Sequence, residues 1–458
     1  MNDITAFFAF LKYCLGYKGD MSRVITGMDW QELYSFASKQ ALLGLCFDGI
    51  ERLGKEYSEE LKQNPIEREL LMTWMGKAQQ IRRQNMKVNA VASKLFSMLR
   101  EDGMRCCVLK GQGNALMYPN PYSRTPGDVD VWIDASRERI MEYAQKKFEL
   151  EDDIRLQHLE TSLDGVPVEL HFFPCSMNNP IYHARLQKWF RRNADLQCSH
   201  IVGLPDEAGD IAIPTTAFNV IYQLCHLYHH FFDEGIGMRQ IIDYFLVVND
   251  FSKNVFLNND LSNHPVNFSN HPVPLSKEGS TFSPSPSSSG SGDVTAPSRC
   301  SEPLRSKDGG PSKVSPDCAG WDRLAIEGDN SAGSTTVVTS STSTALVVVQ
   351  RELKYLGLWK FAGAVMYVLH KALGLPEEKM IAPMDEKRGK LLLEEILNGG
   401  NFGRHFTKYG HFTQQGMAKK YFLKIWRNMH FVRYYPAEAL CEPIFRTWHF
   451  FWRLKHRR

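Results

Sequence analysis

Apolar residues recur three and four positions apart through DITAFFAFLKYCL and DWQELYSFASKQALLGLCFDGIERL, the spacing that lines one face of a helix. Residues 1–88 therefore read as a helical lead-in. Helical spacing continues from Val88 to Leu99 and then changes: GMRCCVLKG is a short apolar run of strand length that stops at Gly111. GNALMYP has room for one brief helix before a Pro/Tyr/Ser/Arg turn at 119–127. DVDVWID then alternates as a strand does, SRERIMEYAQKKFEL has an amphipathic helical pattern, and HLETSLDGVPVELHFFP reads as two strands joined by an Asp164–Gly165 turn. The order strand, helix, strand, helix, hairpin predicts a small α+β unit with a mixed sheet over residues 89–205.

Helical periodicity is strong after Pro214, in TTAFNVIYQLCHLYHHFF and MRQIIDYFLVVNDF, so residues 206–251 are expected to be helical. Residues 252–343 abandon it: SPSPSSSGSGD, SKDGGPSKVSPD and STTVVTSSTSTA are rich in Ser, Thr, Pro and Gly. Such a segment buries too little apolar surface to offset its ordering entropy. It is expected to be a disordered insertion between neighbouring helices, because a long surface insertion adds little closure entropy. Helical spacing resumes at QRELKYLGLWKFAGAVMYVLHKALGL and holds, with a break at LNGGNFGRHF, through a C-terminal helical region at 344–458.

Composition narrows the class. A chain of 458 residues with 43% hydrophobic and 23% charged residues is globular, and a net charge of +3 does not by itself point to nucleic acid or an acidic membrane. The ten cysteines form no C-x-x-C pair and are spread along the chain, which fits reduced thiols in a cytoplasm. The opening MNDITAFFAFLKYCLGYKGD has Asp3 before any basic residue and Lys12 inside its apolar run, so no signal peptide is expected. No apolar run approaches the ~18 residues of a spanning helix.

The chemistry begins with two acids. Strand alternation puts Asp128, Asp130 and Trp132 on one side of DVDVWID and Val129, Val131 and Ile133 on the other. In VPVELHF it puts Val166, Val168 and Leu170 on one side and Pro167, Glu169 and His171 on the other. If the strands are neighbours, Asp128, Asp130 and Glu169 converge, and three close carboxylates repel unless protons or cations sit among them. Hard divalent cations with oxygen ligands are the natural partners, magnesium above all. Upstream, LKGQG ends a strand and opens a helix, where backbone N–H groups favour a phosphate. Gly111 and Gly113 allow close approach of the backbone, while Lys110 and Arg124 are placed to neutralise phosphate charge. A phosphate cradle beside a carboxylate–metal cluster describes nucleotidyl transfer.

KGQG, GDVDV and VELH, in that order, resemble the polymerase-beta-like nucleotidyltransferase superfamily. Its members carry a Gly-Gly or Gly-Ser element at a strand–helix junction, a D-x-D or D-x-E strand, and a third acid on a later strand. More closely, VLKGQGNALMYPNPYSRTPGDVDVWID resembles the bacterial uncharacterised nucleotidyltransferase family, whose members read LKG, Tyr-Pro, Arg and D-x-D. YHHFFDEGIGMRQIIDYF and LGLWKFA are also similar to that family, so the resemblance covers most of the chain outside 252–343. It implies a nucleotidyltransferase core flanked by N-terminal helices and a C-terminal helical domain. It further implies transfer of a nucleoside monophosphate from a nucleoside triphosphate, with magnesium, or manganese in its place, held by Asp128, Asp130 and Glu169. Gly111 matches the junction glycine, whereas Gln112 stands where the superfamily has Gly or Ser, which weakens the expected phosphate contact there. The acceptor, whether small molecule, protein or RNA, is left open, as is the oligomeric state. The rival expectation is a catalytically silent nucleotide-binding or partner-binding protein with the same fold.

Other residues are read more plainly. His171 shares the face of Glu169 and is a candidate for orienting it or touching substrate. His226 and His230 stand four apart with zinc-compatible spacing, but no third and fourth ligand follows, so packing or, for His230, a substrate contact is favoured. Arg239 and Asp243 are expected to pair along their helix, with Arg239 a candidate substrate or phosphate contact. The terminal FRTWHFFWRLKHRR reads as a last helix with a solvated basic tail.

Overall fold

The computed structural model describes residues 3–150, 155–257, 339–405 and 417–456. Five helices open the chain: α1 (Asp3–Cys14), α2 (Ser22–Thr26), α3 (Trp30–Lys39), α4 (Leu43–Glu56) and α5 (Ser58–Gln63). Asp29 starts α3 by accepting a hydrogen bond from the Glu32 backbone N–H, one of the groups a helix leaves unpaired at its first turn. The next helix, α6 (Arg68–Glu101), is 34 residues long and runs across the expected 88/89 boundary.

The core follows as β1 (Cys106–Leu109), α7 (Gly111–Ala115), β2 (Val129–Ile133), α8 (Arg137–Lys147), β3 (His158–Leu163) and β4 (Val166–His171). α9 (Pro180–Ser199) closes it, with a separate two-stranded ribbon of β5 (Ile201–Gly203) and β6 (Asp210–Ala212). The main sheet has the order β1-β2-β4-β3, with β2 and β4 parallel and the other pairs antiparallel. The fold is thus the expected α+β class with a small mixed sheet. The β3–β4 turn falls at Asp164 and Gly165, both at positive φ (50° and 70°), the backbone that a two-residue hairpin with right-handed strand twist needs.

Alternation gives each sheet face its own core. Cys106, Val108, Val129, Val131, Ile133, Val166, Val168 and Leu170 pack with Leu95 and Leu99 of α6 and with Ile140 and Ala144 of α8. On the opposite face Trp132 stacks on Phe218, at 6.2 Å between centroids, and Cys107 and Leu109 join the larger helical core. That larger core is built by α1 to α4, α9, α10 (Thr216–Asp233), α11 (Met238–Leu257), α12 (Thr339–Tyr355), α13 (Trp359–Leu373) and α14 (Glu386–Gly399). α15 (Met417–Met429), α16 (Pro436–Ala439) and α17 (Glu442–His456) complete the described chain. α11 and α12 extend into the 252–343 segment from either end, and the rest of that expected insertion lies outside the described residues. No helix among the described residues is long and apolar enough to cross a membrane.

Candidate active site

The sheet's helical-core face carries the acids. Register sets Asp130 of β2 directly against Glu169 of β4, with Trp132 against His171. Asp128 lies one position before β2 on the same side by alternation. Oxygens of Asp128, Asp130 and Glu169 lie within 4.8 Å of one another. Asp130 is buried, Glu169 half-buried and Asp128 exposed.

Two cations reach this trio. Lys110, between β1 and α7, has a backbone φ of 51° that is uncommon for a residue with a Cβ, and Gly111 follows at φ 40°. This sharp reversal returns the lysine over the acid face, where Nζ lies 3.1 Å from Asp130 Oδ1 and 2.8 Å from His226 Nε2. His171 Nε2 lies 3.0 Å from both Asp130 Oδ1 and Glu169 Oε2. The charges divide accordingly. The Asp130 charge, then burial, then Glu169 push Asp128 up to about 6. Burial also works to raise Asp130, but Lys110 and His171 outweigh it and hold that carboxyl below its ordinary range. Burial disfavours a charged His171, yet its bonds to Asp130 and Glu169 raise it to about 9.

The turn before β2 is fixed from three sides. Asn85 of α6 donates to the carbonyls of Tyr122 and Arg124 at 2.9 and 2.8 Å, and Thr125 Oγ1 donates to Ala41 O at 2.7 Å. Arg124 is then clamped by Asp243 of α11 through Nε at 2.9 Å and Nη2 at 2.8 Å, a buried bidentate pair. Asp243 therefore pairs with Arg124 rather than with Arg239 along its own helix, because a fork-shaped guanidinium from another segment meets both of its oxygens. Arg239 instead donates to Thr125 O at 3.3 Å and lies over the Phe402 ring at 5.6 Å, with its buried Nε making no hydrogen bond to a described residue.

All of this opens into a cavity of about 490 Å³. Lys110, Gly111, Arg124, Asp128, Asp130, Glu169, His171, His230 and Arg239 line it, joined by Arg155, Asp233, Phe402 and Arg404. Gln112 and Gly113 do not. The Gln112 side chain turns away to bond Asn89 of α6, and a Cβ on Gly113 would lie 3.0 Å from Ile213, so this glycine serves close packing rather than the cleft. His226 and His230 stand 3.0 Å apart between their Nε2 atoms as a neutral pair: burial, then Lys110, depresses His226, and burial, then His229, lowers His230 to about 3. At the cavity's far side Asp233 accepts from Lys424 at 2.9 Å and Arg446 at 3.0 Å.

His158, Glu160 and Arg155 were not anticipated as part of this face. The alternation that placed Glu169 and His171 also predicts His158 and Glu160 opposite them once the Asp164–Gly165 hairpin is accepted, since a two-residue turn fixes the register. Asp233 and Arg404 carried no such local signal, because tertiary packing alone brings them to the cavity.

The chain belongs to a family described as uncharacterised nucleotidyltransferases, whose model matches residues 26–262. The match spans the β1–β4 sheet, the glycine junction, the acid trio and α10–α11, with the Arg124–Asp243 clamp inside it. No curated protein and no solved structure matches the chain.

Proposed function

We propose that the chain is a magnesium-dependent nucleotidyltransferase that moves a nucleoside monophosphate from a nucleoside triphosphate to a hydroxyl or phosphate acceptor. The observation that carries this reading is the convergence of Asp128, Asp130 and Glu169 at the floor of a cavity whose walls also hold Lys110, Arg124, Arg239 and Arg404. The donor set fits a hard divalent cation: three carboxylates lie within ligand reach of a shared point, and Asp128 gains a proton readily because positive charge there relieves its neighbours. When bound, magnesium or manganese supplies Lewis-acid polarisation of the phosphoryl oxygens and a template for in-line displacement.

The chain's own residues do the remaining work. Lys110 and His171 keep Asp130 ionised and its oxygens oriented. Arg239 offers a phosphate its buried Nε, which has no hydrogen-bond partner among the described residues. Asp243 holds Arg124 rigidly in the wall, so that its positive charge is fixed before substrate arrives. Gly111 lines the cleft at a positive φ, and a Cβ there would come within 3.9 Å of the Asp128 carbonyl oxygen. A cytoplasmic location accords with free thiols at every described cysteine.

The test is pyrophosphate release by the full chain from each common nucleoside triphosphate, with magnesium and a broad acceptor panel. Release that stops with a chelator, and falls by about 10²–10³-fold in Asp130→Asn, is the expected result. Absence of pyrophosphate across the whole panel contradicts catalysis. One observation favours a second reading, a silent nucleotide-binding protein: Asp130 already has two cationic partners, Lys110 at 3.1 Å and His171 at 3.0 Å. Calorimetry separates the two, since the silent protein binds triphosphate and metal but leaves the nucleotide uncleaved.

A further inference from the structure

His158 is buried, 8% exposed, and neither of its ring nitrogens makes a hydrogen bond to a described residue. Carboxylate oxygens stand opposite both nitrogens without a well-aligned hydrogen bond to either, and a ligand on one nitrogen would satisfy this buried imidazole better. Its surroundings identify that ligand. Register sets His158 of β3 against His171 of β4 and Glu160 against Glu169, so two imidazoles and two carboxylates share one patch of the sheet. His158 Nδ1 lies 3.3 Å from Glu169 Oε2, and His171 Nε2 lies 3.0 Å from the same oxygen. One ligand atom from each of His158, Glu169 and His171 falls within 4.8 Å of the others.

We propose that these three residues form a second cation site, distinct from the acid trio, and that it takes zinc. Two imidazole nitrogens and one carboxylate oxygen make a borderline-soft donor set that suits zinc, whereas magnesium favours oxygen alone. All three residues line the cavity, which leaves the fourth zinc position to water, as in sites with three protein ligands. The outer partners are also in place. His158 Nε2 faces Glu160 Oε1 at 3.5 Å, and Arg155 holds Glu160 at 2.7 Å. A carboxylate behind the free nitrogen of a ligating histidine is the arrangement that fixes its ring and raises its basicity. Glu169 belongs to both sites, and the inference rests on the proposed nucleotidyl transfer only in that double assignment. Zinc on His171 Nε2 would take the place of the proton that this nitrogen shares with Asp130 and Glu169, so the ion would then supply the positive charge beside Asp130.

The experiment uses the full chain, stripped of metal with a chelator and dialysed, with zinc chloride as the probe and magnesium in excess. Elemental analysis is expected to find a single zinc per chain, and X-ray absorption to find nitrogen neighbours at about 2.0–2.1 Å. His158→Ala should lose the ion, Glu160→Gln should bind it about 10- to 100-fold more weakly, and Asp128→Asn should keep it. If His158→Ala does not fold by circular dichroism, His158→Asn is read in the same way. Zinc kept by the His158 variants, lost from Asp128→Asn, or bound by oxygen ligands alone would place it in the acid trio. That result overturns this inference while leaving nucleotidyl transfer standing, and no zinc binding at all overturns it too. A chain that holds zinc through His158 but never releases pyrophosphate upholds the second site and sinks the proposed activity.

Discussion

Asp128 carries the least compensated charge of the site. Asp130 has Lys110 and His171 beside it and Glu169 has His171, but Asp128 makes no ion pair among the described residues. Removing its charge should therefore relieve the fold while disabling the chemistry. Asp128→Asn is predicted to melt at or above the parent's temperature and to lose about 10²–10³-fold in nucleotide turnover. Thermal melts beside pyrophosphate assays check both halves, and a variant that melts lower yet turns over normally contradicts the assignment. At this scale the sequence was informative where a rule of alternation applied and silent where a partner was remote. Asp128, Asp130 and Glu169 could be set on one face from strand geometry alone. The partner of Arg124 could not, because Asp243 lies 119 residues away and nothing local distinguishes it from an intrahelical mate of Arg239. The partner of Gln112 was hidden for a similar reason: it stands at the junction in the sequence, but its side chain bonds Asn89 on α6.

The elements act by holding the turn that leads into β2. α6 does so with Asn85, and α4 does so through a glycine. A Cβ at Gly44 would lie 2.3 Å from the Ser123 carbonyl oxygen, a backbone atom that cannot swing aside. Gly44→Ala must therefore push α4 away from the 121–124 segment, at a cost of about 1–3 kcal/mol. The Arg124 carbonyl is held by Asn85 and its guanidinium by Asp243, so the displacement is also expected to weaken triphosphate binding. Denaturant unfolding and nucleotide titration of the variant check this, and a parent-like stability would show that the contact is not close-packed. The helices, the hairpin and the mixed sheet were legible because each has its own period or turn residues. The β3 face was legible in principle, since the same period sets His158 and Glu160 opposite His171 and Glu169. What no period reveals is which helix covers which face, and hence that α10, α11 and the 402–404 turn wall the cavity.

In the whole molecule, a buried carboxylate helps tie the C-terminal helices to the segment that follows the main sheet. Glu438 of α16 accepts from the backbone N–H groups of Asn178 and Asn179, at the entry to α9, and burial pushes it up to about 7. A carboxyl raised in the folded state favours its protonated form, so stability is lost as pH climbs from about 4.5, the unfolded value, through about 7. Glu438→Gln removes that titration. The variant's stability relative to the parent should rise across this window by up to about 3 kcal/mol and then level off. Paired melts at several pH values check it, and a difference that stays flat with pH would show that Glu438 is not held as described. What the acid trio binds is tested most directly by anomalous diffraction from crystals grown with manganese and a non-hydrolysable nucleoside triphosphate. The predicted result is a manganese peak within coordinating distance of Asp128, Asp130 and Glu169, touching the triphosphate. A triphosphate bound without manganese at those carboxylates, or a peak elsewhere, would contradict it.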